Sequence, residues 1–285
     1  MRSTRVYCRS VCPATTCKRE NVVYYPTAAS AQAAGYRPCL RCRPELAPGP
    51  NVDDDAPLRR ALALITAGFL ADASVEALAQ EVGLSGRHLR RRFVDRLGAT
   101  PQALHATQRL LQAKQFLTDT DWPIAQVAAA AGFASVRRFN DAFRAACRMA
   151  PRELRRRAVP QREMAASLRL HYRPPFDFAA TLADLARAAV PGLECVAEGA
   201  WQRALGSATH GRWLRVSAVP GRSALQLDVV GTPPSEWPAL VQRVRRLFDL
   251  DADDAAMCRA LSADPVLAAR LAARPGLRLP GAWDG

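Results

Sequence analysis

Four cysteines near the start of the chain, Cys8, Cys12, Cys39 and Cys42, follow the spacing C-x3-C, a 26-residue insert, then C-x2-C. Two close pairs brought together by a folded insert supply what a tetrahedral four-cysteine zinc site needs. Each short spacer lets two sulfurs reach one ion. Cys17 lies close to the first pair and could compete for a place. It ranks lower because Lys18 and Arg19 lead away from it and it has no partner at short spacing. Closed all-thiolate sites usually only hold folds together. A thiolate is also a nucleophile, so the same sulfurs could take part in chemistry. Spacing does not choose among Cys8, Cys12, Cys39 and Cys42 as a reacting sulfur.

The residues around these cysteines narrow the choice. Y-C-R-x-x-C-P, R-E-N-V and A-x-x-A-G-Y-R-P-C-x-R-C-x-P run over about residues 3–45 and fix Arg9, Pro13, Arg19, Glu20, Asn21, Gly35, Arg37, Pro38 and Arg41. This stretch resembles the N-terminal domain of Ada-type DNA repair proteins. The resemblance implies a zinc-bound thiolate that takes the methyl group from a methylphosphotriester in DNA, with Cys8, the first cysteine of the motif, as acceptor. Arg37 becomes a candidate DNA contact. The implied chemistry is physically sound. Zinc keeps the four thiols ionised near neutral pH. Four thiolates on one divalent ion repel a DNA phosphate, whereas a methylated phosphotriester is neutral and can approach. Attack on the methyl carbon needs no general base, because the leaving phosphodiester is already a stable anion. The thioether product has no easy route back, so one turnover per molecule is expected. Methylation also removes one negative charge beside DNA, and the modified domain should bind DNA better.

The rest of the chain must hold this centre and explain its charge. At 285 residues, with 49% hydrophobic residues, the chain predicts two or three domains with real cores. Its eight cysteines, with no leader sequence and no apolar run of membrane length, point to the reducing cytosol and to metal rather than disulfides. The net charge is +14, and residues 57–163 carry 18 Lys and Arg against 9 Asp and Glu. Almost all of these are arginine, whose guanidinium forks onto phosphate and guanine. Residues 46–56, LAPGPNVDDDA, read as a linker by composition.

From Pro57 to about Ala158 the pattern is helical and contains an internal repeat, Val75 to Pro101 and Ile124 to Pro151. Each copy has an apolar helix with an alanine (Ala79, Ala128), a glycine for a tight turn (Gly83, Gly132), and an apolar residue (Leu84, Phe133). A basic amphipathic helix follows, ending at Phe93 or Phe143. This is helix-turn-helix grammar twice. His105 to Thr120 should be a long joining helix. Leu89, Phe93, Phe139 and Phe143 form the expected core face. Arg87, His88, Arg91, Arg137, Arg138 and Asn140 are the candidate DNA contacts, half of which could touch only phosphates or solvent rather than bases. With its G-x-T-P and F-x-x-x-F patterns and the Arg109-x-x-x-Ala113-x-x-Phe116-Leu117 joining segment, the double motif resembles the DNA-binding domain of AraC/XylS-type regulators. Ada-type proteins carry this same domain after the zinc domain. Arg148 replaces the usual glycine after the second basic helix, so a differently built corner is expected there.

After Gln161 the pattern changes. Leu168 to Tyr172 reads as a strand, ATLADLARAAV as a helix, and GRWLRVSAVPG with SALQLDVVG as a hairpin. Ser235 to Leu250 reads as an amphipathic helix capped by Ser235, and the tail is helical again. Tyr172-x-Pro174-Pro175-Phe176-Asp177, the run RRLFDL from Arg245 to Leu250, and Arg274 to Gly281 resemble the N-terminal domain of AlkA-type 3-methyladenine DNA glycosylases. The resemblance implies an antiparallel sheet with helices on one face. The catalytic domain of those enzymes begins just after this point, so base release from alkylated DNA is not expected of this chain. Asp249, Asp251, Asp253 and Asp254 read as solvated caps and loop residues. No Pro-Cys-His-Arg sequence, the mark of an O6-methylguanine acceptor, is present.

The expected fold is therefore multidomain α+β. It comprises a small four-cysteine zinc domain (1–46), a linker (47–56), an all-α double helix-turn-helix domain (57–160), and an antiparallel sheet with helices on one face (165–285). One Zn2+ ion on Cys8, Cys12, Cys39 and Cys42 is the expected cofactor. Double-stranded DNA is the expected partner, both at alkylated phosphotriesters and at promoter operators, with RNA polymerase a candidate that the sequence does not decide. The alternative readings are a pure AraC-type regulator with structural zinc, or a fragment of a bifunctional regulator/3-methyladenine DNA glycosylase. No membrane partner or small-molecule cofactor is expected.

Overall fold

The computed structural model describes residues 1–9, 12, 18–40, 44, 52, 54–157, 167–206, 211–252 and 254–283. The chain divides into two compact units, Met1–Thr118 with Trp122–Val159, and Asp119–Asp121 with Pro160–Gly285. The cysteine segment and the helical repeat fall in the same unit.

The first unit opens on two short strands, β1 (Val6–Tyr7) and β2 (Arg37–Pro38), paired in parallel with Val6 opposite Arg37 and Tyr7 opposite Pro38. Parallel strands need a crossover, and α1 (Ala28–Ala33) lies in that crossover. It starts at a capping box. Thr27 Oγ1 accepts from Ser30 N at 3.0 Å and Ser30 Oγ accepts from Thr27 N at 3.1 Å, which satisfies two orphan donors reciprocally.

α2 (Ala56–Thr66) begins one residue after Asp55, whose carboxylate caps it by accepting from Leu58 N at 3.1 Å. The end of the acidic linker is thus a helix start. The first helix-turn-helix is α3 (Val75–Glu81) and α4 (Gly86–Leu97), and the second is α6 (Ile124–Ala130) and α7 (Val136–Cys147). The turns close identically. Leu84 N donates to Ala79 O at 2.8 Å, and Phe133 N donates to Ala128 O at 2.9 Å. The joining helix α5 spans Pro101–Asp119, starting earlier than the sequence pattern suggested because Pro101 is free to begin a helix. α8 (Pro151–Arg157) follows the second repeat. Leu89, Phe93, Phe139 and Phe143 are all fully buried, as the periodicity requires. Leu58, Ile65, Leu78 and Leu97 complete the first core with Leu89 and Phe93. In the second, the rings of Phe133 and Phe139 lie 5.2 Å apart, and those of Phe139 and Phe143 lie 5.5 Å apart.

The corner at Arg148 is built the same way as its counterpart, contrary to the expectation from its sequence. Gly98 follows α4 at φ 65°, and Arg148 follows α7 at φ 55°. Arginine accepts a left-handed backbone at a cost, and its side chain has a partner that a glycine would lack, as described below.

The second unit holds a five-stranded antiparallel sheet in the order β3-β7-β6-β5-β4. The strands are β3 (Ser167–His171), β4 (Glu194–Ala197), β5 (Ala200–Ala204), β6 (Trp213–Ala218) and β7 (Ala224–Val230). Leu168, Leu170, Leu214, Val216, Leu225, Leu227 and Val229 alternate onto the buried face. α9 (Phe178–Ala188) and α10 (Trp237–Leu247) supply Leu182, Leu185, Leu240, Val241 and Val244 to the interior. Phe248, just past α10, meets Phe178 at 5.7 Å and Trp201 of β5 at 5.8 Å. β4 was not legible as a strand, because its burial is shallow and its residues ECVA show little alternation. Ser235 does not cap α10. It lies in a 3-10 turn over Pro234–Glu236, and the helix begins at Trp237 with Pro238 in its first turn and no side-chain cap. α11 (Asp254–Leu261) and α12 (Pro265–Ala273) are the last helices among the described residues. No helix among the described residues is long and apolar enough to cross a membrane.

Candidate metal centre and nucleic-acid interface

Cys8 and Cys39 are each the next residue after a strand of the β1–β2 pair, and Cys39 N donates to Tyr7 O at 3.0 Å. The parallel register therefore delivers both thiols to the same end of the ribbon. Cys12 is folded back by a turn in which its N–H donates to Arg9 O at 3.2 Å. The sulfurs of Cys8, Cys12 and Cys39 all lie within 4.8 Å of one another, and the Cys12 and Cys39 sulfurs are 3.9 Å apart. Zinc–sulfur bonds of about 2.3 Å in a tetrahedron put neighbouring sulfurs about 3.8 Å apart. The three described thiols thus fit three corners of such a site, and their softness suits zinc. Cys42 and the competitor Cys17 lie outside the described residues. Cys39 is buried, while Cys8 and Cys12 are half-buried.

Ser85 and Ser135 start the two recognition helices. Ser85 Oγ accepts from His88 N at 3.3 Å, and Ser135 Oγ accepts from Arg138 N at 3.2 Å. On α4, Arg87 and Arg91 are exposed and one turn apart, on the side away from Leu89 and Phe93. His88 is half-buried and accepts from Arg92 Nε at 3.2 Å, and Arg92 reaches Asp55 at 2.8 Å. On α7, Arg137 and Arg138 are exposed and Asn140 is half-buried. Arg37 is not among these groups. It lies on β2, half-buried, and its charge with that of Lys114 opposes the upward push that burial gives the Cys147 thiol, which stands at about 12.

Several side-chain contacts that matter here were not read from sequence. Arg109 of α5 donates to Ala131 O at 2.8 Å and to Gly132 O, with its guanidinium 4.2 Å from the centre of the Phe133 ring. It fixes the turn of the second motif. Its place in the joining-helix pattern was visible, but not its target. Thr27, Gln32 and Thr107 connect the cysteine segment to the repeat; none was read from sequence, and the Thr27–Ser30 spacing of a capping box is the one local signal that could have pointed there. In the second unit, Asp251 pairs with Arg245, Asp254 opens α11, and Asp253 lies outside the described residues. Burial raises the Asp249 carboxyl, while Arg278 opposes the shift. None of these acids gathers into a cluster with another ligand type among the described residues.

Thiols gathered in one small domain and two basic helices presented by a repeated fold define a metal-holding, helix-turn-helix protein of the DNA-binding class. Three family models match in series. They are the metal binding domain of Ada over residues 1–45, a helix-turn-helix domain over 78–157, and the AlkA N-terminal domain over 167–284. The chain therefore carries, in order, segments that match the metal binding domain of Ada, a helix-turn-helix domain and the AlkA N-terminal domain. Among curated relatives, it is similar to a bifunctional transcriptional activator/DNA repair enzyme AlkA of Mycobacterium tuberculosis, 40% identical over 99% of this chain and 58% of that protein. It is also similar to the bifunctional transcriptional activator/DNA repair enzyme Ada of Escherichia coli, 37% identical over 41% of this chain and 32% of that protein. The chain spans less than two thirds of either relative. Among solved structures, an AraC-type transcriptional regulator from Chromobacterium violaceum is 33% identical, with a TM-score of 0.35, over 38% of this chain and 96% of that one.

Proposed function

We propose that this chain is a DNA alkylation-response protein in which one cysteine accepts a methyl group from a DNA methylphosphotriester and the methylated protein then binds promoter DNA to activate repair genes. The observation that carries the reading is the cluster of three thiol sulfurs within 4.8 Å, inside a segment that matches the Ada metal-binding model. One zinc ion on Cys8, Cys12, Cys39 and Cys42 would keep the thiols ionised near neutral pH. In the transfer the Cys8 sulfur forms the S–CH3 bond as the CH3–O bond of the ester breaks. The electron pair leaves with the phosphodiester oxygen, so the negative charge moves from sulfur to DNA and no proton is exchanged. Burial supports part of this assignment, because Cys39 is buried while Cys8 and Cys12 are only half-buried. The choice of Cys8 over Cys12 rests on the family resemblance.

DNA binding falls to Arg87, Arg91, Arg137 and Arg138, which are exposed on the recognition helices, with His88, Asn140 and Arg37 in supporting positions. Loss of one negative charge from the cysteine centre lowers its repulsion of the DNA backbone, which favours the methylated form on DNA. The test is intact mass and zinc content before and after incubation with methylphosphotriester DNA. The reading expects a single gain of one methyl that Cys8→Ser abolishes. A protein that keeps its mass after full exposure would leave only the regulator with structural zinc.

A further inference from the structure

Gly98 and Arg148 hold the same place in the two copies of the repeat. Each is the first residue past its recognition helix, and each has a left-handed backbone. Both corners are gripped by the same short element, α1 with its two ends. At the first corner, Thr27 Oγ1 donates to Leu97 O at 3.0 Å and thereby caps the end of α4. Ser30 stands so close that a Cβ on Gly98 would lie 2.9 Å from the Ser30 Cβ. At the second corner, Arg148 Nη2 donates to Gly35 O at 2.9 Å. Between them, on the joining helix α5, the Thr107 hydroxyl donates to Gln32 Oε1 at 3.0 Å, and Gln32 Nε2 in turn donates to Tyr7 Oη at 2.9 Å. Thr107 and Ser30 are buried. Three ties at separate points fix a body in orientation as well as position, and they add to the link that the joining helix α5 makes between the two motifs.

We infer that α1 is a rigid spacer that fixes the relative orientation of the two recognition helices, and so sets the distance between the two DNA half-sites that this chain reads. Inserting one base pair between half-sites moves them apart by about 3.4 Å and rotates one against the other by about 35°. A clamped pair cannot follow that rotation, and a loosened pair can. The inference rests on DNA reading by both helix-turn-helix units and not on methyl transfer.

The experiment uses the full chain and duplexes that it selects from a randomised library, then the same duplexes with one base pair inserted or removed between the halves. Arg148→Gly removes one tie while placing at that corner the residue best suited to its backbone, so the fold is retained. Thr107→Val removes the middle tie at nearly constant volume. The parent should lose about 30-fold or more in affinity when the spacing changes, since only one recognition helix can then engage fully. The double variant should hold the unaltered duplex within about tenfold of the parent and lose no more than about fivefold on a spacing change. Equal spacing penalties in parent and double variant would overturn the inference, and so would a parent that tolerates the spacing change or selects a single half-site. A protein that takes no methyl yet shows the expected change leaves this inference standing and removes the methyl-transfer reading, so the two fail separately.

Discussion

Replacing Gly98 by alanine tests whether the cysteine segment sits against the first recognition helix in solution. Two costs are expected. An alanine at φ 65° adopts a left-handed backbone, which costs about 1–2 kcal/mol relative to glycine. Its new Cβ would also stand 2.9 Å from the Ser30 Cβ, closer than carbon atoms pack, and relieving such overpacking costs about 1–3 kcal/mol. Displacing Ser30 pulls on Thr27 and weakens its bond to Leu97 O, so the total should fall near 2–5 kcal/mol. Gly83→Ala is the control. That glycine, in the turn between α3 and α4, has φ 71°, and a Cβ added there would meet nothing within 4 Å, so only the backbone cost of about 1–2 kcal/mol applies. Hydrogen exchange of the α4 amides under mild urea reads both variants on one element. Gly98→Ala should exceed Gly83→Ala by about 1–3 kcal/mol, and a cycle with Ser30→Gly should recover about 1 kcal/mol or more as coupling. If the two alanine variants agree within about 0.5 kcal/mol, the collision does not exist and α1 does not rest on that corner.

Other outcomes follow from single side chains. Cys12→Ala or Cys39→Ala should lower bound zinc at least tenfold, as metal analysis after dialysis would read it, because each removes a ligand from a set whose geometry needs it. Arg109→Lys should destabilise the second motif by about 2 kcal/mol in the same exchange experiment, since an ammonium cannot bond both turn carbonyls and stack on Phe133 at once. The Cys147 thiol, raised by burial from 9.0 to about 12, stays protonated in the folded chain while the unfolded thiol ionises. Its contribution to stability is therefore complete below about pH 9 and lost as pH rises towards 12, and at pH 8 a thiol reagent should modify exposed Cys195 while Cys147 stays unreacted. Arg203 in the sheet unit is paired with Glu194, with only 8% and 12% of their side chains exposed. Arg203→Ala should cost about 3–5 kcal/mol in urea unfolding followed by tryptophan fluorescence, because it leaves Glu194 buried and unpaired.

Much of the fold could be read from periodicity, because its elements bury one face strongly. The two basic helices showed their core phenylalanines and leucines at helical spacing, and the β6–β7 hairpin alternated cleanly about Pro220 and Gly221. The elements that escaped lack that contrast. β4 is a shallow edge strand, and α10 starts on proline geometry rather than on a side-chain cap. Of the candidate site, the paired cysteine spacings were enough to predict a gathered cluster, and Cys8, Cys12 and Cys39 meet as expected. The placement of Arg37 beside α7 was not legible, because it depends on which surface the small domain presents to the helices. The same holds for Thr27, Gln32 and Thr107. Their bonds join residues 70 and 75 positions apart, and no local pattern encodes such a meeting.

Arg148 stands where its repeat-mate has glycine, and its guanidinium reaches the backbone oxygen of Gly35, in the cysteine segment of the same unit. A residue whose backbone is unfavourable within the repeat thus gains a partner from a segment that matches a different family model. Such a pair does not travel apart. Grafting a related zinc module onto these helices, or these helices behind another module, would keep every motif intact and still break the fit between them.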